Sequence, residues 1–202
     1  MLMGREELGQ ASEVELGVLR ILVPVVKLYT GKQGVSVISE VLESFGGAGY
    51  VEDTGLPVML RDAQVLPIWE GTTNVLALDV LRSMAREGTL VPWSEYFEEM
   101  VTRSATGPLS QEAERVLSAI HRVRQFARQM MGEGEGFAQA SARSFAFSVA
   151  RTSIAAILLE HARWCLSHAP DGGGVSVLRR WLSHDLTPLV QAGESHRQES
   201  SA

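Results

Sequence analysis

The stretch Leu66-Pro67-Ile68-Trp69-Glu70-Gly71-Thr72-Thr73-Asn74 holds the residues best placed to do chemistry. A carboxylate sits in a turn, beside a bulky indole and just ahead of a helix start. Burial against Trp69 would disfavour the charged form and raise the pKa of Glu70. A carboxylate tuned in that way suits a general base. Gly71 would let a ligand approach the backbone closely. Thr72 or Thr73 can cap the following helix, whose first N–H groups suit an anion or a carbonyl oxygen. The same spacing also fits a plain structural role, because a glutamate ahead of a helix complements its dipole.

Other candidate groups carry less. The run Gly46-Gly47-Ala48-Gly49 ends a helical pattern instead of following a strand, so it reads as a helix cap and loop, not as a dinucleotide fingerprint. Cys165 is the only cysteine, which excludes an internal disulfide, and its apolar surroundings suggest a buried structural thiol. The histidines, at 121, 161, 168, 184 and 196, lack the Asp/Glu/Cys spacing of a metal site. Surface or packing roles are expected for them, and no metal.

Charge narrows the classes further. With 18 Lys and Arg against 24 Asp and Glu, the formal net charge is −6. Bulk attraction to nucleic acid or an anionic membrane is therefore not expected, and the arginines after Arg82 read as a solvated, ion-paired face. No amino-terminal secretory pattern is present. Residues 18–26, the most apolar stretch, contain Arg20 and fall far short of the roughly 20 residues a membrane span needs. A cytoplasmic protein is the expectation.

The elements that must position Glu70 read as helices throughout. Apolar periodicity predicts a helix over residues 12–29, with Pro24 inside it. Gly31 and Gly34 interrupt, and a second helix covers 35–45. Residues 46–68 form a long, glycine- and proline-punctuated connection with a short helical turn at 60–63. A helix from Thr72 or Thr73 to about Arg86 follows. Residues 89–109 are mixed. Helices are predicted over 110–131, 137–168 and 175–190, with a flexible loop at 132–136, a turn at 171–174 and a frayed tail over 191–202. The fold expected is all-α, a helical bundle.

Motif order adds a more specific reading. Glu43-Ser44-Phe45-Gly46-Gly47-Ala48-Gly49-Tyr50, then Leu60-Arg61-Asp62-Ala63, then Ile68 to Asn74, then Leu78-Asp79-Val80-Leu81-Arg82 resemble the acyl-CoA dehydrogenase family, and more narrowly its AidB-type alkylation-response branch. The resemblance covers residues 19–82 and implies its carboxy-terminal helical domain over 1–88, followed by a helical extension over 89–190. It implies FAD as cofactor and an acyl-CoA thioester as substrate. Glu70 matches the base that removes the α-proton. Gly71 matches the residue against the thioester. Thr72, Thr73 and Asn74 match the stretch touching FAD, and Gly46 and Gly47 a segment at its adenosine end, often across a subunit interface. Glu43 stands where ordinary members carry Gln.

The resemblance also implies that the family's amino-terminal and middle domains lie outside these 202 residues, and that the chain acts with them, as a homo-oligomer or with a chain supplying them. Two other readings stand beside the dehydrogenase one: a non-catalytic oligomerisation or scaffold module, and an AidB-like nucleic-acid-associated protein, which the charge balance disfavours.

Overall fold

The computed structural model describes residues 2–105, 107–168 and 173–189. Among these residues there are eight α-helices and no strand, so the all-α expectation holds. They are α1 (Leu2–Glu7), α2 (Glu13–Ser44), α3 (Leu56–Ala63), α4 (Thr73–Glu87), α5 (Leu90–Ser104), α6 (Ser110–Glu133), α7 (Glu135–His168) and α8 (Gly174–Leu182). Helix α7 lies against α2, α4, α5, α6 and α8. Its Ala- and Ser-rich faces bury Ala142, Phe145, Ala146, Val149, Ala155, Ala156 and Leu159. By length and composition α7 could cross a membrane; here 61% of its most apolar window is buried by the other helices.

The predicted break at Gly31 and Gly34 is corrected: α2 is one helix of 32 residues, and the separate helix over 35–45 is its distal half. It opens with a capping box, in which Glu15 N–H donates to Ser12 Oγ at 3.2 Å and Ser12 N–H to the Glu15 carboxylate at 2.8 Å. Pro24 is inside it and buried. The glycines are there for close approach. A Cβ on Gly31 would lie 3.1 Å from the Leu66 carbonyl oxygen, and one on Gly34 2.9 Å from Leu66 Cδ1. Packing of the Leu66 segment offsets the roughly 1 kcal/mol that each helical glycine costs.

The mixed stretch over 89–109 is also corrected, because it contains α5. Trp93, Phe97, Met100 and Val101 are buried at helical spacing. Pro92 falls in the first turn, where its missing N–H has no intrahelical partner to lose. The expected loop at 132–136 reduces to Gly134, with φ +96°, between α6 and α7. The short turn at 60–63 extends back to become α3.

The last helix stops at Leu182, not at 190. Beyond it, Thr187 N–H donates to the Asp185 carboxylate at 2.9 Å, an Asx-type turn that competes with helix and precedes Pro188. Leu186 packs onto the core from this turn. Residues 171 and 172 of the predicted turn, the tail over 191–202 and His196 lie outside the described residues, while Gly174 of that turn is the first residue of α8.

Charged pairs finish the surface, such as Arg179 Nε on Glu112 at 2.7 Å between α8 and α6. Cys165 is buried, as expected, with Sγ 3.4 Å from His161 Nε2. At the centre of the core the fully buried Trp93 donates through Nε1 to Ser153 Oγ at 2.9 Å, tying α5 to α7. Replacing Trp93 with Ala removes this bond and opens a cavity. The expected loss is about 3–5 kcal/mol of unfolding free energy, read as a lower urea midpoint.

Candidate functional site

The Glu70 turn is held from beneath. Lys27 Nζ, on α2, donates to the Leu66 carbonyl. Pro67 is buried beside it, and Gly31 lets the two backbones meet. Ile68 N–H and Trp69 N–H both donate to the Val65 carbonyl, at 2.9 and 2.8 Å, and close a turn. The chain then reverses through two residues of positive φ, Glu70 at +59° and Gly71 at +116°. Glu70 is the only non-glycine described residue with positive φ. That conformation costs a residue with a Cβ of the order of 1–2 kcal/mol. At Gly71 a Cβ would also lie 3.0 Å from Leu76 Cδ2.

Helix α4 starts directly afterwards. Thr72 takes the extended backbone of an N-cap, and its carbonyl accepts from Leu76 N–H at 2.9 Å. Its hydroxyl makes no capping bond, which corrects the expectation that a Thr hydroxyl caps this end. Thr73 is buried, while Thr72 and Asn74 are exposed. The first N–H groups of α4 are thus left for a partner other than a side-chain cap.

The expectation that Trp69 buries Glu70 is corrected as well. The Trp69 residue is 68% exposed, and Glu70 is exposed beside it. The Glu70 carboxylate has neither a hydrogen bond nor an ion pair within the described residues. It borders a groove of about 800 Å³ along α2 and α4, lined by Lys27, Val23, Arg20, Leu76 and Asp79 among others.

The structure brings Glu70, Gly71, Thr72, Thr73 and Asn74 together as one continuous strip. Gly46 and Gly47 are elsewhere, in a 3₁₀ turn at the far end of α2. At 1.5 Å per residue the fifteen residues from Gly31 to Gly46 place them about 22 Å along the helix from the Leu66 contact. Glu43 is exposed near that end.

Sequence reasoning missed the groups that fix the strip. Arg20 clamps Asp79 through both terminal nitrogens, at 2.9 and 3.2 Å, and holds Glu87 through Nε at 3.0 Å. Arg82 adds a bond to Asp79 at 3.0 Å. The signal was present: an arginine amid the apolar run of α2 needs a fixed partner, and Asp79 and Arg82 lie in the motif Leu78-Asp79-Val80-Leu81-Arg82. Lys27 and Arg143, which reaches Asn74 from α7, carry no such signal.

Residues 6–85 match the family model for the acyl-CoA dehydrogenase C-terminal domain, and residues 90–202 match the acyl-CoA dehydrogenase 11 C-terminal domain-like model. The chain belongs to the acyl-CoA dehydrogenase 11 C-terminal domain-like family. Acyl-CoA dehydrogenase family member 11 of Caenorhabditis elegans is 45% identical over 167 residues, 80% of this chain and 27% of that protein. The crystal structure of C. elegans ACDH-11 in complex with C11-CoA aligns with a TM-score of 0.84 at 38% identity, covering 96% of this chain and 33% of that one. AidB of Escherichia coli strain K12 is 38% identical over 82 residues, 40% of this chain and 15% of that protein. The chain spans a third or less of each. In this acyl-CoA dehydrogenase domain, the strip from Glu70 to Asn74 leads into α4, the helix that the Arg20–Asp79 clamp ties to α2.

Two outcomes follow from this geometry. Glu70→Gly relieves the left-handed strain and raises unfolding free energy by about 0.5–1 kcal/mol, because glycine's looser unfolded chain takes back part of the gain; thermal unfolding measures it. For Asp79, the Arg20 hydrogen bonds hold the carboxyl below the ordinary aspartate value of 3.8. Its stabilising contribution is therefore complete above that value and is lost as pH falls through the lower folded value. Between about pH 5 and pH 2 the wild-type protein should lose more stability than Asp79→Asn, measured as urea midpoints along the pH series.

Proposed function

We propose that this chain supplies the base-bearing, cofactor-facing part of an FAD-dependent acyl-CoA dehydrogenase. Glu70 is the base that takes the α-proton of an acyl-CoA thioester onto a carboxylate oxygen. One observation carries the reading: an unpaired glutamate held in left-handed backbone immediately before a helix N-terminus that no side chain caps. Strain of this kind persists where a side chain must be aimed.

The strip fits the group that the family uses. Gly71, without a side chain, leaves room against the thioester. The opening N–H groups of α4, with Thr72, Thr73 and Asn74, suit acceptor oxygens of a flavin. FAD, when bound, supplies the hydride acceptor for the β-carbon. Gly46 and Gly47, about 22 Å away along α2, would serve the adenosine end of a cofactor reached from a neighbouring copy. Because Trp69 and Glu70 are open to solvent, the walls that exclude water come from polypeptide beyond these 202 residues.

The reading keeps residues 1–88 as the site-bearing part and 89–190 as the extension, acting in the cytoplasm. It adopts the family-member-11 type over the AidB-type branch, since it rests on the longer match, 167 residues against 82. The C11-CoA of the nematode structure supports an acyl-CoA as ligand.

A second reading, an association module, is favoured by one feature. Val37, Val41 and Phe45 run along one side of distal α2 at 58%, 48% and 53% exposure, with Tyr50 beyond them at 86%. An apolar row of this kind marks a surface that meets another polypeptide. The two readings are compatible if the partner is a second copy or the chain that completes the site.

A visible absorption spectrum, taken after incubation with FAD and removal of free cofactor, tests the cofactor claim. A retained flavin band supports it; a bare protein spectrum limits the 202 residues to half of a site. In an assembly that oxidises acyl-CoA, Glu70→Gln should keep the flavin band and lower the rate by about 100- to 10,000-fold, the range for loss of a general base. An unchanged rate would remove Glu70 from the chemistry.

A further inference from the structure

The extension reaches back onto the strip at one point. Arg143, on α7, donates through Nη1 to Asn74 Oδ1 at 3.4 Å, across 69 positions of sequence. Asn74 is the second residue of α4. From these contacts we infer that Arg143 is a positioning residue for Asn74, and through it for the acceptor-binding end of α4. The inference rests on the proposal that Thr72 to Asn74 face the cofactor.

The asparagine side chain has two unlike ends. Its amide carries an acceptor oxygen at one end and two donor hydrogens at the other, and free in solvent it presents either. An arginine offers only donors, so a bond to Arg143 occupies Oδ1 and turns Nδ2 away from α7. Asn74 then presents N–H groups on the same side as the opening N–H groups of α4. A ligand at this end must supply acceptors, as the carbonyl and phosphate oxygens of FAD do.

Arg143 is itself held in place. Its guanidinium lies over the Phe147 ring, 5.8 Å from the centroid. Phe147 meets Tyr29 of α2 edge-on at 5.6 Å, and Tyr29 meets Trp181 of α8 at 6.3 Å. Trp181 Nε1 donates to the Arg151 carbonyl at 3.1 Å. The column fixes the arginine from α2, α7 and α8 together. Among the described residues Arg143 forms no ion pair, so no carboxylate draws it from Asn74. A cation near a helix N-terminus is also wrongly placed for the dipole. Its bond to Asn74 and its ring contact account for the position.

The test uses the 202-residue chain as wild type, Arg143→Met, Arg143→Lys and Asn74→Asp, each first checked for an unchanged thermal midpoint. In the first arm, the Asn74 side-chain amide is followed by ¹⁵N NMR without ligand. Wild type should show one amide orientation, Arg143→Met a shifted and averaged signal, and Arg143→Lys recovery towards wild type. Identical Asn74 signals in wild type and Arg143→Met would overturn the inference. In the second arm, FAD is titrated by flavin fluorescence. Arg143→Met should weaken binding about tenfold and Arg143→Lys less. Asn74→Asp should weaken it at least as much as Arg143→Met, since it keeps a partner for Arg143 but removes the donors. Equal FAD affinity in wild type and Arg143→Met would overturn the positioning role. Absence of FAD binding by wild type would count against the cofactor reading of this chain, while the first arm still decides whether Arg143 orients Asn74.

Discussion

The burial of α7 is the constraint on which the rest of this fold depends. A 34-residue helix lies against α2, α4, α5, α6 and α8. It can do so because its inward positions are small. Ala142, Ala146, Ala150, Ala155, Ala156 and Ala162 admit neighbouring helices closely, and Phe145 and Leu159 fill the gaps between them. Some of its hydroxyls are bonded, while the buried Ser141 and Thr152 hydroxyls have no partner among the described residues. Ser153 accepts from Trp93, and Ser148 returns a bond to the Ser144 carbonyl. Enlarging one of these small residues would push apart helices on several sides at once, so tolerance is lowest here.

The site inherits its geometry from that packing at one remove. With α4 and α2 both seated on α7, the Arg20–Asp79 clamp can join them with a bidentate bond that neither helix could hold alone. The segment between α3 and α4 has then to cross α2. It does so where Gly31 offers bare backbone and Lys27 offers a donor to the Leu66 carbonyl. Little freedom remains for the residues that follow, and the reversal into α4 falls on Glu70 and Gly71. The left-handed glutamate is in this sense a consequence of two helices and a crossing strand of backbone, all fixed before it.

Much of this was legible in the sequence. The 3.6-residue periodicity gave the class of fold and placed the start of α2 near Ser12. The motif from Ile68 to Asn74 was legible because its residue types are unusual together. The failures have physical causes. Gly31 and Gly34 read as breakers because a single chain segment does not show which backbone will pack against a glycine. Residues 89–109 read as mixed because Thr89, Pro92 and Gly107 outweighed the spacing of Trp93, Phe97 and Met100. The end of α8 was set too late because Asp185 and Thr187 form a turn whose strength depends on Leu186 reaching the core. Trp69 was expected to bury Glu70 on adjacency alone, yet the turn that aims the carboxylate outward carries the indole outward too.

On the proposed function, the exposure of Glu70 decides how the site would become active. A carboxylate in water is a weak and indiscriminate base, and the electrostatic gain of a catalytic site depends on a surrounding of low dielectric. This chain provides direction without enclosure. The strain at Glu70, the uncapped start of α4 and the open groove along α2 are all features of a surface prepared on one side. Completing it requires apolar walls that cover Trp69 and Ile68, which are 68% and 62% exposed. Covering them would desolvate Glu70 in the same step. Under the proposed function, one docking event would then bring the ordering of substrate and the tuning of Glu70 together, while the helices beneath keep the carboxylate aimed throughout.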